Sequence, residues 1–289
     1  MSRGIRTAAL AIGIMALAAS GSRAEAQVQL PDDGSDYVEQ QVPIGEGLSS
    51  YAVADERVNV FHVRPAITLR SWMTNPWGLR LRLGLTISIV DFERLESLDL
   101  DKVSLGSLVP GVEAVFPVGR LSVLRPYFDF GLGGIFDSEQ RPAPILGVGL
   151  LTEFVFPWKQ FELGLEPRVE YLTVFSESTR DDDDFGTFVL LADARHPLWF
   201  QMGRSQPDVG LYFRYTYLWE EQVFASPFGA ESVIEQLFEV GAIFGFQARP
   251  KVWIIRIPTI GFGYRFGSLK GFTIRIGGDR IVRLAEPLR

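Results

Sequence analysis

His62 and His196 are the side chains of this 289-residue sequence best suited to proton transfer near neutral pH. A lipid hydrolase or acyltransferase would need one of them beside a serine and oriented by a third polar group. Neither histidine fits that pattern in the sequence. His62 has no serine within two residues, and His196 stands next to Pro197. The chain has no cysteine, so thiolate metal sites are excluded, and two histidines this far apart make a poor transition-metal ligand set. The run Asp181 to Asp184 could hold Ca²⁺ or bridge to lipopolysaccharide through divalent ions. It lacks the alternation and closing glutamate of a calcium loop, which points to a solvated loop. Gly-x-Gly pairs such as Gly131/Gly133, Gly147/Gly149 and Gly261/Gly263, and the wider pair Gly241/Gly245, precede no helical pattern, so a dinucleotide site has no support. No catalytic residue, cofactor or metal is expected.

The elements that position these residues follow from composition and period. A 47% hydrophobic content excludes a disordered chain, and 28 basic against 35 acidic residues argue against a nucleic-acid partner. Beyond the N-terminus no apolar run reaches the 18 residues of a membrane helix. A soluble β-sandwich and a transmembrane β-barrel remain.

Residues 1–26 read as a cleavable secretory signal. Arg3 and Arg6 supply the positive start, Ala8 to Ala19 the apolar stretch, and Ala24-Glu25-Ala26 a small-x-small cleavage site before Gln27. Residues 27–46 are polar, as a periplasmic linker would be. The expected barrel covers 47–277, and 278–289 form a C-terminal tail.

From Arg57 onward the apolar period is two. Leu79, Leu81, Leu83, Leu85, Ile87 and Ile89 alternate with Arg80, Arg82, Gly84, Thr86 and Ser88, which a strand can sort onto two faces and a helix cannot. The pattern predicts strands at 57–70, 78–91, 104–116, 125–136, 144–156, 160–175, 185–197, 208–219, 233–247, 252–266 and 271–277. Most exceed the usual soluble length of about 5–6 residues. They suit tilted barrel strands, which need about 9–11 residues for the hydrocarbon alone.

Three features favour a barrel. Trp72, Trp77, Trp158, Trp199, Trp219 and Trp253 fall at predicted strand ends, as an interfacial girdle requires. Connections alternate in length: short near 71–77, 117–124, 157–159, 200–206 and 249–251, mostly longer or acidic at 92–103, 137–143, 176–184 and 220–232. Lys102, Lys159, Lys251 and Lys270 all lie in connections. Short turns on the periplasmic side put the C-terminus there too. Single-chain bacterial barrels have even strand numbers. Ile44 to Glu56 therefore supplies a twelfth strand; the alternative is that this segment threads the lumen.

By alternation the lumen receives Arg64, Arg70, Arg80, Arg82, Arg168, Arg195, Arg214, Arg265 and Arg275. Facing them are Glu113, Asp129, Glu153, Glu162, Glu166, Glu170, Asp193 and Glu239. Near balance of sign predicts a cross-linked interior, because an unpaired charge there is costly. Inward glycines leave room for bulky neighbours, with Tyr127 and Tyr212 the candidates to lie over them.

The stretches Gly210-Leu211-Tyr212-Phe213-Arg214-Tyr215-Thr216-Tyr217-Leu218-Trp219, Ile260-Gly261-Phe262-Gly263-Tyr264-Arg265-Phe266-Gly267 and Leu269-Lys270-Gly271-Phe272, followed by Thr273-Ile274-Arg275-Ile276-Gly277, resemble the solitary outer-membrane autotransporter-like β-barrel family. Less distinctive similarity extends over most of 50–280. The resemblance implies an all-β, antiparallel up-and-down barrel of about twelve strands, like an autotransporter translocator without a passenger domain. It implies insertion by the barrel-assembly machinery and brings no activity with it. The sequence departs from barrels that end in an aromatic residue: here Gly278 to Arg289 follow the last strand, so the insertion signal is expected internally at Phe272, Ile274 and Ile276.

The expectation is a non-enzymatic barrel in a Gram-negative outer membrane, structural or translocator-like, in contact with lipid and lipopolysaccharide. A small diffusion channel and a lipid-modifying enzyme using His62 or His196 are the alternatives.

Overall fold

A computed structural model describes residues 47–276 except 54–55, 73–74, 91–102, 120, 135–141, 176–182, 203–205, 226–230, 247–250, 253–254 and 257–258. The predicted signal (1–26), the linker 27–46 and the tail lie outside the described residues.

The described chain is all β. Its strands are β1 (Gly47–Val53), β2 (Glu56–Val63), β3 (Ala66–Arg70), β4 (Gly78–Val90), β5 (Val103–Pro117), β6 (Ser122–Gly134), β7 (Ala143–Trp158) and β8 (Phe161–Val174). Then follow β9 (Asp183–Pro197), β10 (Pro207–Ala225), β11 (Glu231–Phe246), the two-residue strands β12 (Lys251–Val252) and β13 (Ile255–Arg256), β14 (Ile260–Gly267) and β15 (Lys270–Ile276). Every ladder is antiparallel. From β4 to β11 each strand pairs with the next, β11 continues to β14 and β15, β15 pairs with β1, β1 with β2, and β2 with β4. Following neighbours in this order returns to the starting strand. β2 and β3 both pair with β4 and together make one stave of twelve.

Residues 47–53 are therefore a strand of the wall, as the twelfth-strand reading expects, and do not thread the lumen. The predicted strand 57–70 is interrupted at Arg64–Pro65, because proline has no N–H to donate; its carbonyl instead accepts from the Leu83 N–H at 2.9 Å. Pro110, Pro126 and Pro167 likewise stand opposite gaps in the β5–β6 and β7–β8 ladders.

Two segments differ from the period-two expectation. The stretch 252–266 is not one strand: β12 and β13 form a separate small ladder, and the stave begins at Ile260. The connection 220–232 shrinks to 226–230, because β10 and β11 run past a register irregularity between Tyr217 and Gln222. These changes overturn the alternation of short and long connections. One rim carries 71–77, 118–121, 159–160, 198–206 and 247–259; the other carries 54–55, 91–102, 135–142, 175–182, 226–230 and 268–269. Both rims span two-residue hairpins and connections of a dozen or so, so length does not distinguish them.

Burial alternates along the staves in the sense of a barrel. Leu83 is 43% exposed while Arg82, its neighbour, is 6% exposed. Phe130, Leu132, Leu211, Phe262 and Phe272 are exposed on the same outer face. A soluble sandwich would bury the leucine and solvate the arginine; here apolar side chains face out and ions face in.

The interior is not uniformly polar. Ala143, Ile145, Leu172, Val174, Phe185, Leu218, Ile234, Leu237 and Leu269 form a buried apolar cluster toward the 54–55 rim, with Val60 and Val109 packed on it. Val115, Val123, Leu151 and Val155 are buried toward the other rim on β5 to β7. The expected polar lumen is thus a belt of ions between apolar layers, since side chains that need no partner can close the interior where no counter-charge is in reach.

Candidate functional site

The ion belt is organised by register. One transverse row runs Arg80–Glu113–Tyr127–Gly149–Glu170 across β4 to β8. Glu113, 1% exposed, is its hub: Oε1 accepts from Arg80 Nη1 at 2.6 Å and Oε2 from Arg125 Nη2 at 2.8 Å, with Arg82 Nη1 3.9 Å from Oε2. Arg82 also faces Asp129 at 3.5 Å, and Arg125 faces Glu153 at 3.6 Å. Charge-assisted bonds of this kind are what allow buried ions to persist.

Tyr127 lies across Gly149, where a Cβ would collide with its ring. The Arg82 guanidinium stacks on that ring, 3.9 Å from its centroid. Only glycine permits this close approach, and the ring in turn holds Arg82 between Glu113 and Asp129.

A second row runs Glu166–Leu191–Arg214–Glu239–Arg265–Gly271 across β8 to β15. Glu239, 1% exposed, accepts from Tyr212 Oη at 2.6 Å and Thr273 Oγ1 at 3.0 Å on Oε1. Its Oε2 accepts from Arg265 Nη2 at 2.6 Å and Nε at 3.1 Å. Tyr212 lies over Gly241 and Gly263, and Arg275 caps its ring at 5.0 Å. A third group on β8 to β10 pairs Arg168 with Glu166 at 3.2 Å, and Arg195 with Asp193 at 3.1 Å and Asp208 at 3.8 Å.

One contact crosses the interior. Arg64, at the β2–β3 break, reaches Glu170 on β8 at 3.2 Å, with both side chains more than nine-tenths buried. β4, β5, β6 and β7 separate these staves along the wall, so the pair is a strut across the lumen. Beside it is a cavity of about 30 Å³ lined by His62, Arg82, Thr86, Ser107, Asp129 and Phe185 among others, which is room for a water or two.

Of the predicted interior charges, Arg64, Arg80, Arg82, Glu113, Asp129, Glu153, Glu166, Arg168, Glu170, Arg214, Glu239 and Arg265 all face inward. Arg70 instead stacks on Trp77, 4.1 Å from its ring, and Glu162 is half-buried. The sequence reading omits Arg125 and Asp208. Yet Arg125 has the phase of Tyr127 and Asp129, and Asp208 that of Tyr212 and Arg214, so alternation places both inward. The structure buries both, Arg125 on β6 and Asp208 on β10.

The tryptophans are not a symmetric girdle. Trp72, Trp77, Trp158 and Trp199 gather at the 71–77 rim. Trp219 is on the outer face within β10, not at its end, because the strand continues to Ala225; its ring lies over Gly186. Trp253 lies outside the described residues. So do Asp181 and Asp182, while Asp183 and Asp184 open β9.

His62 is 4% exposed and its Nδ1 is 2.7 Å from Thr86 Oγ1. This hydroxyl–imidazole contact lies against the 30 Å³ cavity, far too small for an acyl chain. His196 faces out against Phe161, ring centroids 5.1 Å apart. Among the described residues no group of three His, Asp or Glu side chains could hold a metal ion.

No family profile and no curated protein matches the sequence. Among solved structures, the chain is similar to the β domain of the Bordetella autotransporter BrkA. The TM-score is 0.50 at 10% identity, over 78% of this chain and 93% of that one. With the antiparallel twelve-stave ring and its inward ions, this similarity identifies the fold as a twelve-strand antiparallel β-barrel like that of the BrkA β domain.

Proposed function

We propose that this chain is an integral, non-enzymatic protein of a Gram-negative outer membrane, structural or translocator-like, whose lumen is largely occluded at rest. In this reading residues 1–26 export it, the barrel-assembly machinery inserts it, and its outer face contacts lipid and lipopolysaccharide. The membrane assignment is supported by the inversion of burial, with leucine and phenylalanine outside and arginine inside. The translocator-like element rests on the fold shared with the BrkA β domain, itself part of an autotransporter.

The observation that carries the occlusion is the Arg64–Glu170 strut. It crosses an interior already filled by ion pairs around Glu113 and Glu239 and by the apolar cluster at one rim. An aqueous pore would hydrate these ions, whereas Glu113, Glu153 and Glu239 are each 1% exposed. Planar-bilayer recording on the refolded protein tests the reading. The expected trace is electrically silent for the native chain, with openings when Glu170→Gln weakens the strut. Steady unit conductance in the native chain would replace occlusion with a diffusion channel. Turnover of phospholipid or lipid A that is lost in His62→Ala or His196→Ala would replace the non-enzymatic reading.

A further inference from the structure

Arg214, midway along β10, is 6% exposed, and its Nε has no hydrogen-bond partner among the described residues. Register explains the gap. On one side Arg214 is opposite Leu191, which has nothing to offer. On the other it is opposite Glu239. An ionised carboxylate has about four acceptor positions, and those of Glu239 are taken by Tyr212, Thr273 and two nitrogens of Arg265. Arg275, Arg265 and Arg168 act on it electrostatically, against Glu239. Buried charges normally avoid this by pairing.

We propose that Arg214 holds a small oxyanion inside the barrel, with Arg275 flanking it. The Nε–H and adjacent Nη–H of an arginine form two parallel donors that match two oxygens of a phosphate, sulfate or carboxylate, a match that a halide cannot make. The bound anion completes the row that Leu191 interrupts and gives the Arg214 Nε–H an acceptor. Glu113 on the opposite wall needs no such ligand, since Arg80, Arg125 and Arg82 already share it. The site goes beyond the occluded-barrel reading and holds whether or not the lumen conducts.

The test compares full-length native protein with Arg214→Met, refolded in detergent. The readout is the temperature at which the compact band becomes the unfolded band on a gel. In phosphate-free chloride buffer the variant is expected to melt at or above the native protein, because a buried, unmatched charge is gone. Inorganic phosphate at matched ionic strength is expected to raise the native midpoint and leave the variant unmoved. An equal response of both proteins to phosphate overturns the site. So does a variant that melts lower than the native protein in every buffer, which would mean the protein itself partners Arg214. Crystals of the native protein soaked in selenate provide a readout that needs no variant. An anomalous peak within hydrogen-bond distance of Arg214 Nε supports the proposal, and a selenate peak elsewhere with none at Arg214 refutes it.

Discussion

Tyr127 and Tyr212 each lie flat over glycine on a neighbouring stave, and each carries an arginine on its ring, Arg82 at 3.9 Å and Arg275 at 5.0 Å. Beside each ring stands a 1%-exposed glutamate, Glu113 or Glu239. The two walls nevertheless use these parts differently. Glu113 gathers guanidiniums from three residues, while the Tyr127 hydroxyl is buried with no hydrogen-bond partner among the described residues. Glu239 instead takes the Tyr212 hydroxyl, a threonine and two nitrogens of one arginine, which leaves Arg214 Nε without an acceptor among the described residues. The lesson is that sign balance across a lumen does not ensure satisfaction, since acceptor positions are used up by neutral donors as readily as by cations.

Breaking the hub of the first wall is the largest expected effect. Glu113→Ala leaves Arg80 and Arg125 buried without their closest counter-charge, and should cost about 3–5 kcal/mol in denaturant unfolding of the folded barrel. A loss no larger than that of a surface substitution would show that water reaches the belt. Next come the two tyrosines. Tyr212→Phe removes a bond to an ionised carboxylate and should cost about 1.5–3 kcal/mol. Tyr127→Phe removes a hydroxyl with no bond to lose, and should be neutral or stabilising. Equal costs from the same unfolding measurement would erase the contrast between the walls.

Gly149→Ala sharpens the comparison at similar scale. The added methyl must push the Tyr127 ring, and with it Arg82, off their seats, at about 1–3 kcal/mol. Loss of protection around Tyr127, read as ring accessibility to chemical iodination, would accompany it. The smallest effect belongs to a turn outside both walls. Lys159 joins β7 to β8 with φ of 55°, a left-handed conformation that costs an L-residue about 1–2 kcal/mol. Lys159→Gly should relieve part of that strain and raise the heat-shift midpoint slightly. A lower midpoint would mean that the Lys159 contact with the Trp158 ring, 5.6 Å away, outweighs it.

Much of the architecture is legible from residues alone. Alternation from Leu79 to Ile89 assigns the two faces of β4, because the period of a strand is two and a slip of one residue would put arginine on the apolar face. The same logic found eleven segments, to which the even strand number of bacterial barrels added a twelfth, the inward phase of Glu113, Glu239 and Arg265, and the pairing of Tyr127 and Tyr212 with glycines. Arg125 and Asp208, at predicted strand starts, share the inward phase of Tyr127 and Tyr212 and were legible too, though the inward set omits them. Alternation misjudged 252–266 and 220–232, because local period does not reveal where a ladder partner stops or a bulge begins.

Three things were decided only by the closed sheet. Which inward arginine meets which carboxylate depends on the register of several ladders at once, five of them between β2 and β8, so the Arg64–Glu170 strut, 106 residues apart in sequence, has no local signature. The apolar layer from Ala143 to Leu269 forms because staves distant in sequence bring inward aliphatic residues to one level. The unmatched Nε of Arg214 exists because Glu239 has only so many lone pairs and nearer donors reach them first. Alternation names a face; only closure of the ring sets distances across it.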